Sequence, residues 1–289
     1  MPSSGLDDSP RLIRELLDRR GLALKKRWGQ NFMIAASARE RIVAELHPQS
    51  GEVVWEVGSG LGAITALLVG RGTDVTVFEV DYGLMKVIEE RFGATVRIVA
   101  GDAVKTIPEQ AAAPDRIVGN LPYRSAAAII SSILEAPHIL GRVKRLVFTV
   151  QREMAQRIVA RTRTSDYSPF SVLCQVTTRP RLAGDLSRGN FYPAPDVVSS
   201  IVALEPTPVD PAVRALCATA ARSLFAQRRK TVANNAAGLA AALRRPVDEV
   251  KRVLSIAGVD LSSRAEEVAP ERFLELARRL ADEFPDYSG

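Results

Sequence analysis

The chemistry in this chain is concentrated where short apolar runs end. The run "VVWEV", residues 53–57, leads into Gly58, Gly60 and Gly62, directly before a helical pattern. Glycines at such a junction permit a tight turn and let a ligand approach the main chain, and the following helix presents free N–H groups. Glu79 stands at the end of the next run, "DVTVFEV", 21 residues after Gly58, where a carboxylate accepts hydrogen bonds from ribose hydroxyls. Asp102 ends a third run, "VRIVAGD", and its carboxylate can accept from the exocyclic amine of an adenine ring. Asn120 ends a fourth, "RIVGNL", and opens the quartet Asn120, Leu121, Pro122 and Tyr123. A nicotinamide-dependent dehydrogenase would share the glycine turn and Glu79. It has no use for the fourth residue or for the quartet.

Residues at strand ends need strands to carry them. The four runs and a fifth, "RLVFTVQ" at 145–151, are rich in β-branched residues and mostly separated by helical patterns such as "AITALLVGRG" and "DYGLMKVIEERFG". They predict βα units of a parallel sheet with helices on both faces, which binds ligands at the carboxyl ends of its strands. Two further runs, "SVLCQVTTRPRLAGDL" and "VVSSIVALEP", lack an intervening helical pattern and predict an antiparallel closing pair that ends near Glu205. Ahead of the sheet, residues 10–22 predict an amphipathic helix with Leu12, Ile13, Leu16 and Leu17 on one face. Ser37 is read as the cap of a second helix. The three prolines of "PTPVDPAV", 206–213, predict a domain boundary, after which the periods are helical to Phe284. The expected division is an N-terminal helical extension at 1–24, an α/β domain at 25–207 and a small all-helical domain at 208–289.

Composition limits the function classes. The 289 residues, 46% of them hydrophobic, can fill a sizeable core, which excludes a disordered chain. The formal charge of +6 favours a polyanionic partner, nucleic acid first. Cys174 and Cys217 cannot build a disulfide framework, and with only His47 and His138 beside them no Cys/His metal site is expected. No apolar run approaches the length of a membrane span, so a cytoplasmic protein without a membrane role is expected.

Taken together, "EVGSGLG", Glu79, "GDA" and "NLPY" resemble the class I S-adenosylmethionine-dependent methyltransferases, specifically the ribosomal RNA adenine N6-dimethylases. "KKRWGQNF" at 25–32, "QREMAQRI" at 151–158, "NFYPAPDVVSS" at 190–200 and "LFAQRRKTVANN" at 224–235 are similar to that family's other signatures, and the resemblance spans roughly residues 25–240. It implies a Rossmann-like, mostly parallel seven-stranded sheet with a C-terminal helical RNA-binding domain. Where this chain has Ser59, Met33 and Val198, the family usually has proline, leucine and aspartate. Arg124, Ser125 and Ala126 replace an Asn-Ile-Ser run.

The resemblance also implies an activity. S-adenosylmethionine is the expected methyl donor, with no metal, held by Asn31, Met33, Gly58, Gly60, Glu79, Asp102 and Asn120. The expected substrate is two adjacent adenosines in the 3′-terminal hairpin of small-subunit (16S) rRNA within an immature 30S particle, linking the chain to ribosome biogenesis. No obligate protein partner is implied. Asn120, Leu121, Pro122 and Tyr123 are the expected catalytic group, with Tyr123 and Phe191 as walls for the target base and Arg228, Arg229 and Lys230 as phosphate contacts. Two alternatives are a large-subunit (23S) rRNA methyltransferase of the macrolide-resistance type and a non-enzymatic RNA-binding assembly factor on the same fold. "NLPY" favours the small-subunit reading over the first, since those proteins typically read "NIPY" or "NIPF". The intact Gly58, Glu79, Asp102 and Asn120 speak against the second.

Overall fold

The computed structural model describes residues 9–21 and 31–285, so most of "KKRWGQNF" lies outside the described residues. The chain divides into two compact units, one of residues 1–155 and 181–205, the other of 156–180 and 206–289.

The first unit opens with helix α1 (Pro10–Arg19), which Ser9 caps by accepting the Leu12 N–H. Its buried face, Ile13, Leu16 and Leu17, packs with Phe32, Leu61, Leu84 and Val87, so this helix belongs to the α/β unit and is no separate extension. Then follow β1 (Phe32–Met33), α2 (Ala36–Leu46), β2 (Val53–Val57), α3 (Ala63–Gly70), β3 (Asp74–Glu79) and α4 (Tyr82–Phe92). The expected Ser37 cap is not used: Ala35 occupies the cap of α2, without a side-chain bond. Next come β4 (Val96–Ala100), α5 (Ala103–Thr106), β5 (Arg116–Asn120), α6 (Ala126–Glu135), α7 (Pro137–Leu140) and β6 (Arg145–Gln151). The chain leaves this unit through α8 (Arg152–Ile158) and α9 (Pro169–Thr177), returns in β7 (Thr178–Leu186), and finishes the sheet with β8 (Phe191–Tyr192) and β9 (Ser199–Pro206).

Among the described residues, seven strands form one sheet in the order β4-β3-β2-β5-β6-β9-β7, with β1 and β8 as a separate antiparallel pair. The pairings from β4 through β6 are parallel and β9 runs antiparallel to β6. From β2 the chain builds outward through β3 to β4, then crosses back to lay β5 on the other side of β2. The crevice between the carboxyl ends of β2 and β5 is therefore the topological switch point, where open α/β sheets take ligands. Below it, β-branched side chains such as Val54, Val75, Val77, Val118 and Val147 pack against Ile42, Leu46, Ile64, Leu68 and Ile88 of the helices.

The second unit contains α10 (Pro211–Leu224), α11 (Val232–Leu243), α12 (Val247–Ile256) and α13 (Pro270–Glu283). Two expectations change here. "SVLCQVT" is the body of α9, because Ser168 and Ser171 form a reciprocal capping box with Pro169 in the first turn, and only the residues after it extend as a strand. Moreover, Ala160, Tyr167, Val172 and Val176 share one apolar core with Leu216, Phe225, Leu239 and Phe273, which brings 156–180 into the helical unit ahead of the expected boundary at 208. Tyr167 anchors that core, its hydroxyl donating to the Val268 carbonyl at 2.9 Å and its ring 5.7 Å from that of Phe225.

At the amino ends of the sheet strands, opposite the crevice, Glu52 receives Arg116 and Lys144, and Asp115 receives Lys144 at 3.0 Å. Burial pushes the Glu52 carboxyl up, but hydrogen bonds from Arg116, the Gln49 N–H and Lys144 outweigh it and hold the group down at about 2. A depressed folded-state value makes this stabilisation complete above the unfolded value of 4.5 and lost as pH falls toward 2. Glu52→Gln should therefore cost about 3 kcal/mol at pH 7. In chemical denaturation the gap to the wild-type chain should narrow steadily from pH 4.5 downward.

Candidate active site

Strand β2 ends at Val57, and the glycine turn follows at once. Gly58, Gly60 and Gly62 all take positive φ, at 74°, 57° and 83°. At Gly62, the cap of α3, an added Cβ would also lie 2.6 Å from the Phe92 ring, so both conformation and packing require glycine there. On the neighbouring strand, Gly119 allows close approach: a Cβ would lie 2.6 Å from the Val57 carbonyl. Its bare backbone lets β5 end tightly against β2, bringing Asn120 beside Gly58.

Two adjoining clefts open at these strand ends. The first, of about 710 Å³, is lined by Asn31, Met33, Glu56, Gly58, Gly60, Glu79 and the quartet Asn120 to Tyr123, among others. The second, of about 820 Å³, shares Gly58, Glu79, Val80 and Pro122 with the first and adds Asp102, Arg124 and Ile129. The residues expected from the four strand ends thus meet at one edge, because parallel strands deliver their carboxyl ends on the same side.

Each polar group has a defined setting. Glu79 is buried, and its carboxylate is clamped by backbone donors: Gly60 N–H at 3.2 Å on one oxygen, Val80 and Asp81 N–H at 2.9 Å on the other. Burial pushes its carboxyl up even against these bonds. With about four lone-pair positions on a carboxylate, Oε2 keeps one free for an incoming hydroxyl. Asp102 caps α5 by accepting the Val104 N–H at 3.0 Å through Oδ1, and is exposed. The Asn120 side chain donates Nδ2–H to the Asn31 carbonyl at 2.9 Å, which leaves its Oδ1 as the acceptor presented to the cleft. Leu121 donates its N–H to Thr149, while no described donor reaches its carbonyl. The Tyr123 hydroxyl lies 2.7 Å from Ser199 Oγ, and burial pushes its pKa up.

Other expected residues stand differently. Met33 lines the first cleft, but its carbonyl already accepts from Arg39. Phe191 pairs with Met33 across β1 and β8 and is 3% exposed within the sheet core. Strand alternation turns its ring inward, so it lines neither cleft and is no wall for a base in this structure. Arg228, Arg229 and Lys230 are exposed in the other unit. There Arg228 is paired with Glu266 at 3.0 Å and donates to the Ser165 carbonyl, while the nearby Phe225 is core.

Sequence reasoning missed Glu56. It lines the first cleft 1% exposed, with the Thr65 hydroxyl donating to it at 2.5 Å. Burial pushes its carboxyl up to about 8, and the charge of Glu79 acts in the same direction. The available signal was an acid inside an otherwise apolar run. Ser59, whose hydroxyl is buried without a partner among the described residues, lines the same cleft.

Comparison with known proteins agrees with this geometry. The ribosomal RNA adenine dimethylase family matches over residues 21–282. The chain is 38% identical over 283 residues to the ribosomal RNA small subunit methyltransferase A of Treponema pallidum (strain Nichols), covering 94% of this chain and 96% of that one. It is 34% identical to the protein of that name in Aromatoleum aromaticum, covering 90% and 96%. Among solved structures, a dimethyladenosine transferase from Plasmodium falciparum shares the fold with a TM-score of 0.71 at 19% identity, over 86% of this chain and 97% of that one. The 23S rRNA methyltransferase ErmE gives 0.62 at 26%, over 86% and 99%.

The raised Glu56 carboxyl has a consequence for stability. A folded-state value of about 8 against 4.5 unfolded contributes stability that is fully present below pH 4.5 and lost as pH rises through 8. Glu56→Gln, a neutral isostere, should give a shallower fall in denaturation midpoint between pH 5 and 9 than the wild-type chain.

Proposed function

The chain belongs to the ribosomal RNA adenine dimethylase family, and from that premise we propose that it methylates two adjacent adenosines in the 3′-terminal hairpin of small-subunit rRNA. The product is N6,N6-dimethyladenosine, made on an immature 30S particle in the cytoplasm. Among the described residues, no helix is long and apolar enough to cross a membrane. S-adenosylmethionine supplies a methyl group already activated by its sulfonium, and the residues present fit it. Carboxyl groups at Glu56, Glu79 and Asp102 suit its cationic and hydroxyl-bearing parts, and the glycine turn leaves room for close approach.

The observation that carries the reading is the commitment of the Asn120 amide. Its Nδ2 is taken by the Asn31 carbonyl, so Oδ1 accepts. The N6 amine of adenine is a poor nucleophile because its lone pair is delocalised into the ring. Accepting its two N–H bonds at Asn120 Oδ1 and at the Leu121 carbonyl favours the pyramidal amine and restores that lone pair. Pro122 holds Leu121 extended and brings no competing N–H. Tyr123, steadied through Ser199, offers a stacking face, and base stacking on an aromatic ring contributes about 1–3 kcal/mol toward holding a splayed base. Positioning supplies most of the catalysis, and the reaction needs neither a strong general base nor a metal.

The small-subunit target is favoured over large-subunit RNA by the relatives named ribosomal RNA small subunit methyltransferase A, at 34–38% identity, against 26% for ErmE. Exposed Arg229 and Lys230 are the proposed phosphate contacts, giving salt-sensitive RNA affinity.

With labelled S-adenosylmethionine offered alongside under-methylated small subunits, large subunits and DNA, label should map to the two adjacent hairpin adenosines. Label confined to large-subunit RNA would refute the assignment. Asn120→Ala should lower turnover by on the order of 100-fold or more while S-adenosylmethionine binding by calorimetry persists. Near-normal methyl transfer would exclude Asn120 as the acceptor.

A further inference from the structure

Arg124 follows the quartet and lines the second cleft from its exposed rim. Among the described residues nothing accepts a hydrogen bond from it or forms an ion pair with it. Three other arginines of this unit are committed, Arg116 to Glu52, Arg145 to Glu205 and Arg152 to Asp185. Arg124 is a planar fork of donors at this cleft, with no acceptor bonded to it among the described residues.

The rest of the cleft decides what that acceptor is. Glu79 and Asp102 line it too, so a phosphate drawn to Arg124 would meet two acids. The apolar lining, Phe78, Val80 and Ile129, makes a slot suited to a flat neutral ring. Asp102 uses only Oδ1 on its own backbone, which leaves Oδ2 as an acceptor in the same slot. One acceptor and one cationic donor on apolar walls complement the edge of an adenine, where an amine that donates sits beside a ring nitrogen that accepts.

We propose that Arg124 is a specificity residue for the purine of the methyl donor, donating to a ring nitrogen beside the amine that Asp102 accepts. The inference rests on the cofactor reading given under Proposed function. It assigns to the residue after the quartet a task on the cofactor, separate from the task of Tyr123 on the target base.

The test is calorimetric, with S-adenosylhomocysteine and the base-free S-ribosylhomocysteine as probes and Arg124→Gln as the variant. Because Arg124 is exposed and has no partner among the described residues, the variant keeps its fold, which a thermal melt verifies. Loss of a charge-assisted hydrogen bond at a cleft rim should weaken S-adenosylhomocysteine about 5- to 10-fold and leave S-ribosylhomocysteine unchanged. Equal weakening of both probes would overturn the proposal, since the base would not be what Arg124 reads. Unchanged S-adenosylhomocysteine affinity with a raised KM for RNA would overturn it in favour of a substrate contact. If the wild-type chain bound neither probe, the cofactor reading itself would fall, and this inference with it.

Discussion

The parallel pairing of β2 with β5 is the constraint on which the rest of the site depends. Its register, Val54 to Arg116 through Glu56 to Val118, aligns two strands that are distant in sequence so that both end at one level. The glycine turn and the Asn120 quartet then emerge side by side. Gly119 makes the alignment possible, because any side chain there would collide with the Val57 carbonyl. At the far end of the same pair, Arg116 of β5 reaches Glu52, the residue just before β2. One strand pair thus carries an ion pair at its base and the chemistry at its tip.

That chemistry sits in a sheltered, acid-lined setting. Glu56 and Glu79 are both buried, and burial raises both carboxyl groups. Their answers differ. Glu79 gathers three backbone N–H donors from the turn and from the start of α4, a fixed dipolar cradle that supports the carboxylate. Glu56 has one hydroxyl donor, and its ordinary charge is correspondingly harder to sustain. A hydroxyl-bearing ligand at Glu79 and a cation near Glu56 would each relieve a cost that the folded chain otherwise bears. The site gives up some stability to hold these groups ready.

Much of the organisation was legible in the chain itself. Short apolar runs rich in β-branched residues located the strands, with β2 and β6 falling on the expected residues, because buried parallel strands need continuous apolar runs. The failures share a cause. "SVLCQVT" has an apolar content compatible with strand or helix, and the Ser168–Ser171 capping box decided for helix. Phe191 carries an aromatic ring suited to stacking, but its pairing with Met33 turned that ring into the core. Glu56 was passed over because a single acid in an apolar run says nothing about which cleft it lines.

The sequence by itself determined the residue types and their order: four strand-end groups, a glycine turn, a proline that fixes the residue before it, and a helical C-terminal region. These follow from local chemistry, since propensity, periodicity and turn requirements act over a few residues. Only the tertiary structure decided which groups meet and what remains unspent on each. It committed the Asn120 amide nitrogen to Asn31, the Met33 carbonyl to Arg39 and Arg228 to Glu266, and left the Asn120 oxygen, the Leu121 carbonyl and Arg124 without partners among the described residues. A hydrogen bond between residues 89 positions apart depends on the register of a folded sheet, and no local pattern encodes it.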